Sequence, residues 1–148
     1  ARRFDVKGRK YIGSPKKYYF EDMGLRNARL GFCQIEQTHI MENIVYNELR
    51  TRGYNVDVGV VDRRGTSEGV PYRKRLEVDF VANLGNRRCY IQSAYQLPTP
   101  EKASLLEIDD SFQKIVLVRD VVKPVRDEHG ILTMSVYDFL LNPDSLTM

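Results

Sequence analysis

Between Tyr54 and Val61 apolar and polar positions alternate, with Val56, Val58 and Val60 on one side, the period of a half-buried β-strand. Alternation returns in Tyr72–Leu84 and Arg88–Tyr95, two runs joined at Gly85-Asn86, which predicts a hairpin. The stretch Asp62–Pro71 before it reads as a polar loop with two glycines. Lys114–Val118 (KIVLV) is a continuous apolar run that suits a strand buried on both faces. One stretch has a helical period: THIMENIVYNELRTRG, with Thr38 to cap it, Gly53 to end it, and Arg50 and Arg52 at the negative end of its dipole. At about 100° per residue, Ile40, Met41, Ile44, Val45 and Leu49 share one face. Glu48 falls near the middle of that face and Glu42 on its edge. A carboxylate centred on an apolar stripe needs a partner, because an unpaired buried charge is expensive.

The remaining signals are shorter. Residues 1–17 are punctuated by Gly8, Gly13 and Pro15 and read as a connector with a short strand around Arg9–Ile12. Tyr18-Tyr19-Phe20 reads as a brief aromatic strand, and Asp22 as the cap of a short helix through Leu30. Pro100 fits the first turn of a helix running to about Asp109. His129-Gly130 turns the chain into a strand over Ile131–Val136, and Tyr137–Leu141 closes it with a short helix. The order is helix, strand, hairpin, helix, strand: an α/β protein with a mixed sheet flanked by helices, in which helical crossovers make some pairing parallel.

Composition narrows the class. The chain has 148 residues, 42% hydrophobic and 29% charged, in keeping with one globular domain. That domain is expected over residues 18–148, behind the basic connector. No apolar run approaches the ~18 residues of a membrane span, so no membrane partner is expected. Cys33 and Cys89 form neither a disulfide framework nor a metal-ligand spacing and read as buried thiols, in keeping with the cytoplasm. The net charge of +3 is small, but the cations cluster. Arg2, Arg3, Lys7, Arg9, Lys10, Lys16 and Lys17 crowd the first seventeen residues against Asp5 alone. Arg63, Arg64, Arg73, Lys74, Arg75, Arg87 and Arg88 form three further groups, the candidates for contact with nucleic acid.

The hairpin carries the candidate chemistry. Asp79 interrupts its first strand and Gln92 its second, and Glu42 or Glu48 would join them from the helix. Metal-dependent phosphodiester cleavage needs two or three oxygen ligands converging on Mg²⁺ and usually a lysine beside them. A D…E-x-K pattern on paired strands supplies this, since residues i and i+2 face the same way. Here Gln92 would stand for the Glu and Ala94 for the Lys, so the set is short of one carboxylate and one amine; Lys74 is a possible substitute amine. The competing reading is a buried polar cluster in which Asp79 and Glu48 bond Gln92 and the backbone. No phosphate-cradling G-x-x-x-x-G-K-[ST] loop, no G-x-S-x-G serine and no His/Cys ligand spacing is present.

KYYFEDMGLRNARLGF, ENIVYNELRTRGYNVDVG, LEVDFVA, YIQSAYQL and the closing VYDFLL together resemble the C-terminal domain of unknown function that follows the ATPase module in prokaryotic AAA+ ATPases. The resemblance covers roughly Lys16–Leu141. It implies a divergent restriction-endonuclease-like, PD-(D/E)XK fold with a core of αβββαβ order. It places Glu42 or Glu48 at the first-helix acid, Asp79 at the metal-binding Asp, Gln92 at the Glu of E-x-K and Ala94 at its Lys. It further implies an ATPase module, with its ATP, before Ala1, and no cofactor in this chain. The leading expectation is a non-catalytic binding or regulatory domain. Its partners would be its own ATPase module and either nucleic acid or a protein. The alternative is a weak DNA or RNA nuclease holding Mg²⁺ on Asp79 and Glu48.

Overall fold

A computed structural model describes residues 1–13, 15–22, 37–95 and 102–147. Their centre is an eight-stranded mixed sheet in the order β2-β1-β3-β4-β5-β6-β8-β7. The strands are β1 (Arg3–Asp5), β2 (Lys10–Ile12), β3 (Asn55–Ser67), β4 (Val70–Leu84), β5 (Arg87–Ala94), β6 (Gln113–Val118), β7 (Val125–Arg126) and β8 (Leu132–Ser135). The helices are α1 (Gln37–Thr51), α2 (Lys102–Leu106) and α3 (Val136–Leu141). The pairs β1–β2, β3–β4, β4–β5 and β7–β8 are antiparallel, while β1–β3, β5–β6 and β6–β8 are parallel. The parallel pairs flank the hairpin and follow from the crossovers, as expected for a mixed α/β sheet.

The centre of the sheet is buried on both faces. Met41, Val45 and Leu49 of α1 and Phe139 of α3 pack on Phe80, Ile91, Ile115 and Leu117. Leu105 and Ile108 pack on the other face against Val78, Val81, Tyr90, Val116 and Val118. The apolar run of β6 divides between the two layers, which is why it lacked alternation. No helix among the described residues is long and apolar enough to cross a membrane.

Three expectations are corrected. Residues 1–17 are not merely a connector, since β1 pairs with β3 and both Phe4 and Val6 are core residues. Tyr18–Phe20 is not a strand; it runs beside α1 without a ladder. The polar loop Asp62–Pro71 is instead the end of a long hairpin, closed at Glu68-Gly69 with φ of 51° and 78°. Two successive positive φ values define the tight turn whose twist matches paired strands. The short helix expected from Asp22 to Leu30 lies largely outside the described residues, as do Cys33 and the start of the helix expected at Pro100.

One irregularity shapes the site. Asp57 pairs with Val81, but Gly59 pairs with Val78, so β4 carries an extra residue in this interval. Bulges bend a strand and re-aim side chains. Across from it, a Cβ on Gly59 would lie 2.9 Å from both Val78 Cβ and Val81 Cγ2, so β3 meets the bulge with a glycine.

A candidate polar site over the strand bulge

The bulge changes which way β4 points. Val78 and Val81 lie in the layer under α2, whereas Phe80 and Ala82 lie in the layer under α1. The side chain of Asp79 turns toward α1, where it feels the charges of Glu42 and Lys17. There the β4–β5 ladder gives way to side-chain bonds. Ser93 donates its N–H and its hydroxyl to Asp79 Oδ2, at 2.9 and 2.7 Å. The backbone N–H of Asp79 donates to Gln92 Oε1 at 3.1 Å. Asp79 is 9% exposed. Burial first, then the nearby Glu42 carboxylate, push its pKa up to about 6, against the opposing pull of Ser93 and Lys17.

The segment before α1 completes the site. Asn43 grips the backbone of Phe20 as another peptide would, accepting from its N–H at 3.0 Å and donating to its carbonyl at 2.6 Å. Asn47 donates to the same carbonyl at 2.9 Å. This anchors Tyr19, whose ring stacks on Tyr46 with centroids 4.1 Å apart and whose hydroxyl donates to Glu42 Oε1 at 3.0 Å. Lys17 pairs with the same Glu42 oxygen and with Glu77 Oε1 at 3.2 Å. Arg3 holds the other Glu77 oxygen at 2.6 Å. Burial alone would lower the Lys17 pKa, but the bond to Glu42 and the charges of Glu42, Glu77 and Asp79 outweigh it and raise the pKa. Glu77 is held below its ordinary value: burial opposes this, and Arg3 and Lys17 prevail. Lys17, Tyr19, Glu42 and Asn43 line a cavity of about 250 Å³.

The predicted site residues are thus partly assembled. Glu42 and Asp79 come together, with Gln92 bonded to the Asp79 backbone. Glu48 stands elsewhere: it accepts from Arg52 Nε at 2.9 Å. The same guanidinium donates to Ser145 Oγ at 2.9 Å and to carbonyls of Phe139, Asn142 and Pro143. The acid on the apolar stripe therefore belongs to a clasp between α1 and the chain after α3. The stripe itself is rotated from the expected one, leaving Ile44 37% exposed while Asn43 is buried. Tyr90 and Ala94 belong to the layer under α2 and Ile91 to the layer under α1. Strand alternation therefore aligns Gln92 with Tyr90 and Ala94, and Ser93 with Ile91, on the side of Asp79. Lys74 stands five residues before Asp79 on the exposed part of β4, roughly 16 Å away at strand spacing.

Reading the sequence missed Lys17, Tyr19, Glu77 and Ser93. Glu77 could have been found, because it sits two residues before Asp79 on one strand. Lys17 carried no signal beyond membership in a basic stretch. The donor set does not fit Mg²⁺, which takes about six oxygens in near-octahedral array. An ammonium lies between Glu42 and Glu77, and Oδ2 of Asp79 is occupied by both donors of Ser93. Among the described residues, no group of three or more His, Cys, Asp or Glu is placed to hold a metal ion.

The basic candidates separate into two places. Arg63, Arg64, Arg73, Lys74 and Arg75 stand on the outer part of the β3–β4 hairpin. Arg87 and Arg88 open β5 at the opposite end of β4. Arg88 donates to Asn83 Oδ1 at 2.7 Å and lies over the rings of Phe4 and Phe112, so its cation covers the fold.

The chain is similar to an uncharacterised protein of Haemophilus influenzae (strain ATCC 51907 / DSM 11121 / KW20 / Rd), with 33% identity over 143 residues. That match takes in 95% of this chain and 32% of the relative, so the chain spans about a third of the relative's length. No family model matches the sequence. No solved structure matches it.

Proposed function

We propose that this chain is a non-catalytic binding or regulatory domain with a restriction-endonuclease-like frame. It would work within a longer protein whose AAA+ module binds and hydrolyses ATP, and its surface would engage nucleic acid or a protein partner. The succession α1, β3, the β4–β5 hairpin, α2 and β6 supports the nuclease-like frame, as does an acid at a bulge in the middle strand. That the chain covers 32% of its relative's length supports a place in a larger protein.

The observation that carries the reading is the position of Lys17. Its ammonium lies where converging carboxylates would otherwise gather a cation, bonded to Glu42 and Glu77 and felt by Asp79. A lysine there neutralises the acids without supplying Lewis acidity or an activated water. The cluster then serves to join the segment before α1 to the sheet.

Incubating the purified chain with plasmid DNA and with single-stranded RNA, in Mg²⁺ and separately in Mn²⁺, tests this. No cleavage above that of the Asp79→Ala variant is expected. Cleavage that Asp79→Ala abolishes would establish the nuclease alternative.

A further inference from the structure

The outer part of the β3–β4 hairpin is a free ribbon. On β3, pairing with β1 ends at Val60; on β4, pairing with β5 begins at Phe80. Between these limits and the turn, Asp62–Ser67 and Val70–Arg75 pair, among the described residues, only with each other. Six residues at about 3.3 Å each make an arm of about 20 Å. It is exposed along nearly its whole length, with Val70 64% and Tyr72 40% exposed.

The charges on this arm are arranged at a cost to the arm itself. Arg63 stands directly across from Lys74, and Arg64 directly across from Arg73. Like charges on opposed residues destabilise a strand pair, and here two consecutive rungs oppose cation to cation. Neighbouring acids relieve half of this. Arg63 lies 3.5 Å from Glu107, and Arg73 bonds Asp62. Arg64 and Lys74, one on each strand, make no ion pair among the described residues.

Protecting a free edge from pairing with other strands requires charge, but it does not require one sign. Alternating acids and bases across the rungs would protect as well and would stabilise the ribbon. A single sign concentrated on opposed rungs is instead relieved by an external polyanion. A two-stranded ribbon is also one of the shapes that enter the ~12 Å major groove of B-form DNA, whereas the deep, narrow major groove of duplex RNA excludes it.

We infer that the ribbon formed by Asp62–Ser67 and Val70–Arg75 is a docking arm for B-form duplex DNA, with Arg64 and Lys74 contacting backbone phosphates from its two strands. The inference deepens the reading of the chain as a binding domain and rests on it. Arg87, at the other end of β4, is not part of the surface.

The test measures anisotropy of a fluorescein-labelled, mixed-sequence 20-base-pair DNA duplex titrated with the 148-residue chain across a salt series. Affinity should fall steeply with salt. Each phosphate contact contributes a slope of about −0.9 in log K against log salt, so Arg64→Gln with Lys74→Gln should make the slope shallower by about two. The same pair should raise Kd at least tenfold, whereas Arg87→Gln should change Kd less than twofold. An unchanged thermal melt establishes that the variants are folded. Equal affinity for single-stranded DNA or duplex RNA would overturn the inference. So would duplex binding indifferent to the arm substitutions, or no salt-dependent binding at all. Duplex cleavage abolished by Asp79→Ala would instead overturn the non-catalytic reading and leave the arm's role standing.

Discussion

Ser93 gives both of its donors, the backbone N–H at 2.9 Å and the hydroxyl at 2.7 Å, to the single oxygen Oδ2 of Asp79. These bonds stand where a regular ladder would have continued between β4 and β5. They favour the carboxylate, yet burial and Glu42 dominate and the Asp79 pKa rises to about 6.

The rise has a definite sign for stability. A carboxyl whose folded pKa lies above its unfolded value of 3.8 binds more protons in the folded state between the two values. Its ionisation therefore lowers stability as pH climbs from about 4 to about 6, by up to roughly 3 kcal/mol. Asp79→Asn keeps an oxygen for Ser93 and removes the titration. The variant should gain on the native chain between pH 4 and pH 7, with the difference levelling off above that. Urea unfolding of both proteins across this range measures it, and a constant difference would show that folding leaves the Asp79 pKa unshifted.

Lys17 and Glu42 should be strongly coupled. Their side chains are 29% and 12% exposed, so each removal leaves a poorly solvated charge. Lys17→Met and Glu42→Gln should each lower stability at pH 7.5 by about 1–3 kcal/mol, while the double variant should lose less than the sum. A double-mutant cycle by chemical denaturation reads this, and additive losses would mean that the ion pair contributes nothing.

The sheet was legible because its strands announce themselves: alternation in Val56–Val60 and an unbroken apolar run at Ile115–Val118 left little freedom of assignment. The outer part of β3 was illegible because Arg63, Arg64 and their neighbours up to Pro71 form a polar stretch with two glycines, which reads as a loop, whereas Arg73 and Lys74 fell inside the expected strand. Only the turn at Glu68-Gly69 and cross-strand pairing make that stretch part of a hairpin. The acid at Asp79 could be found as a charge interrupting an apolar strand. Its partners could not, because the bulge reassigns faces: strict alternation from a regular hairpin favours Gln92, whereas Ser93 shares its side. Lys17 reaches the site through the grip of Asn43 on Phe20, a contact twenty-three residues away in sequence, and through its own N–H bond to the Ala1 carbonyl at 2.9 Å.

That grip should be separable from the rest of the fold. Asn43 is 5% exposed and satisfies both polar groups of the Phe20 peptide. Asn43→Ala should cost about 2–3 kcal/mol, at roughly 1 kcal/mol per net bond plus the penalty for unpaired groups. Hydrogen exchange gives the sharper readout. The Phe20 amide should lose its protection while amides of β6 keep theirs, and uniform loss across the chain would show that the segment is not an independent unit.

Arg52 offers the test of the clasp that absorbs Glu48. Its guanidinium bonds Glu48, Ser145 and three carbonyls, and it stacks 4.5 Å from the ring centre of Phe139. The planar fork serves several acceptors at once, which a lysine ammonium cannot do in the same geometry. Arg52→Lys should therefore rescue little of the loss in Arg52→Ala, which should reach about 2–4 kcal/mol because the charge-assisted bonds to Glu48, Ser145 and the carbonyls and the stacking on Phe139 are lost together. Glu48→Gln should cost less than 1 kcal/mol, since it leaves the carbonyl contacts in place and removes one partly exposed helix pair. Thermal melts of the three variants establish the order. If Glu48→Gln equalled Arg52→Ala, the acid rather than the guanidinium would be holding the end of the chain to α1.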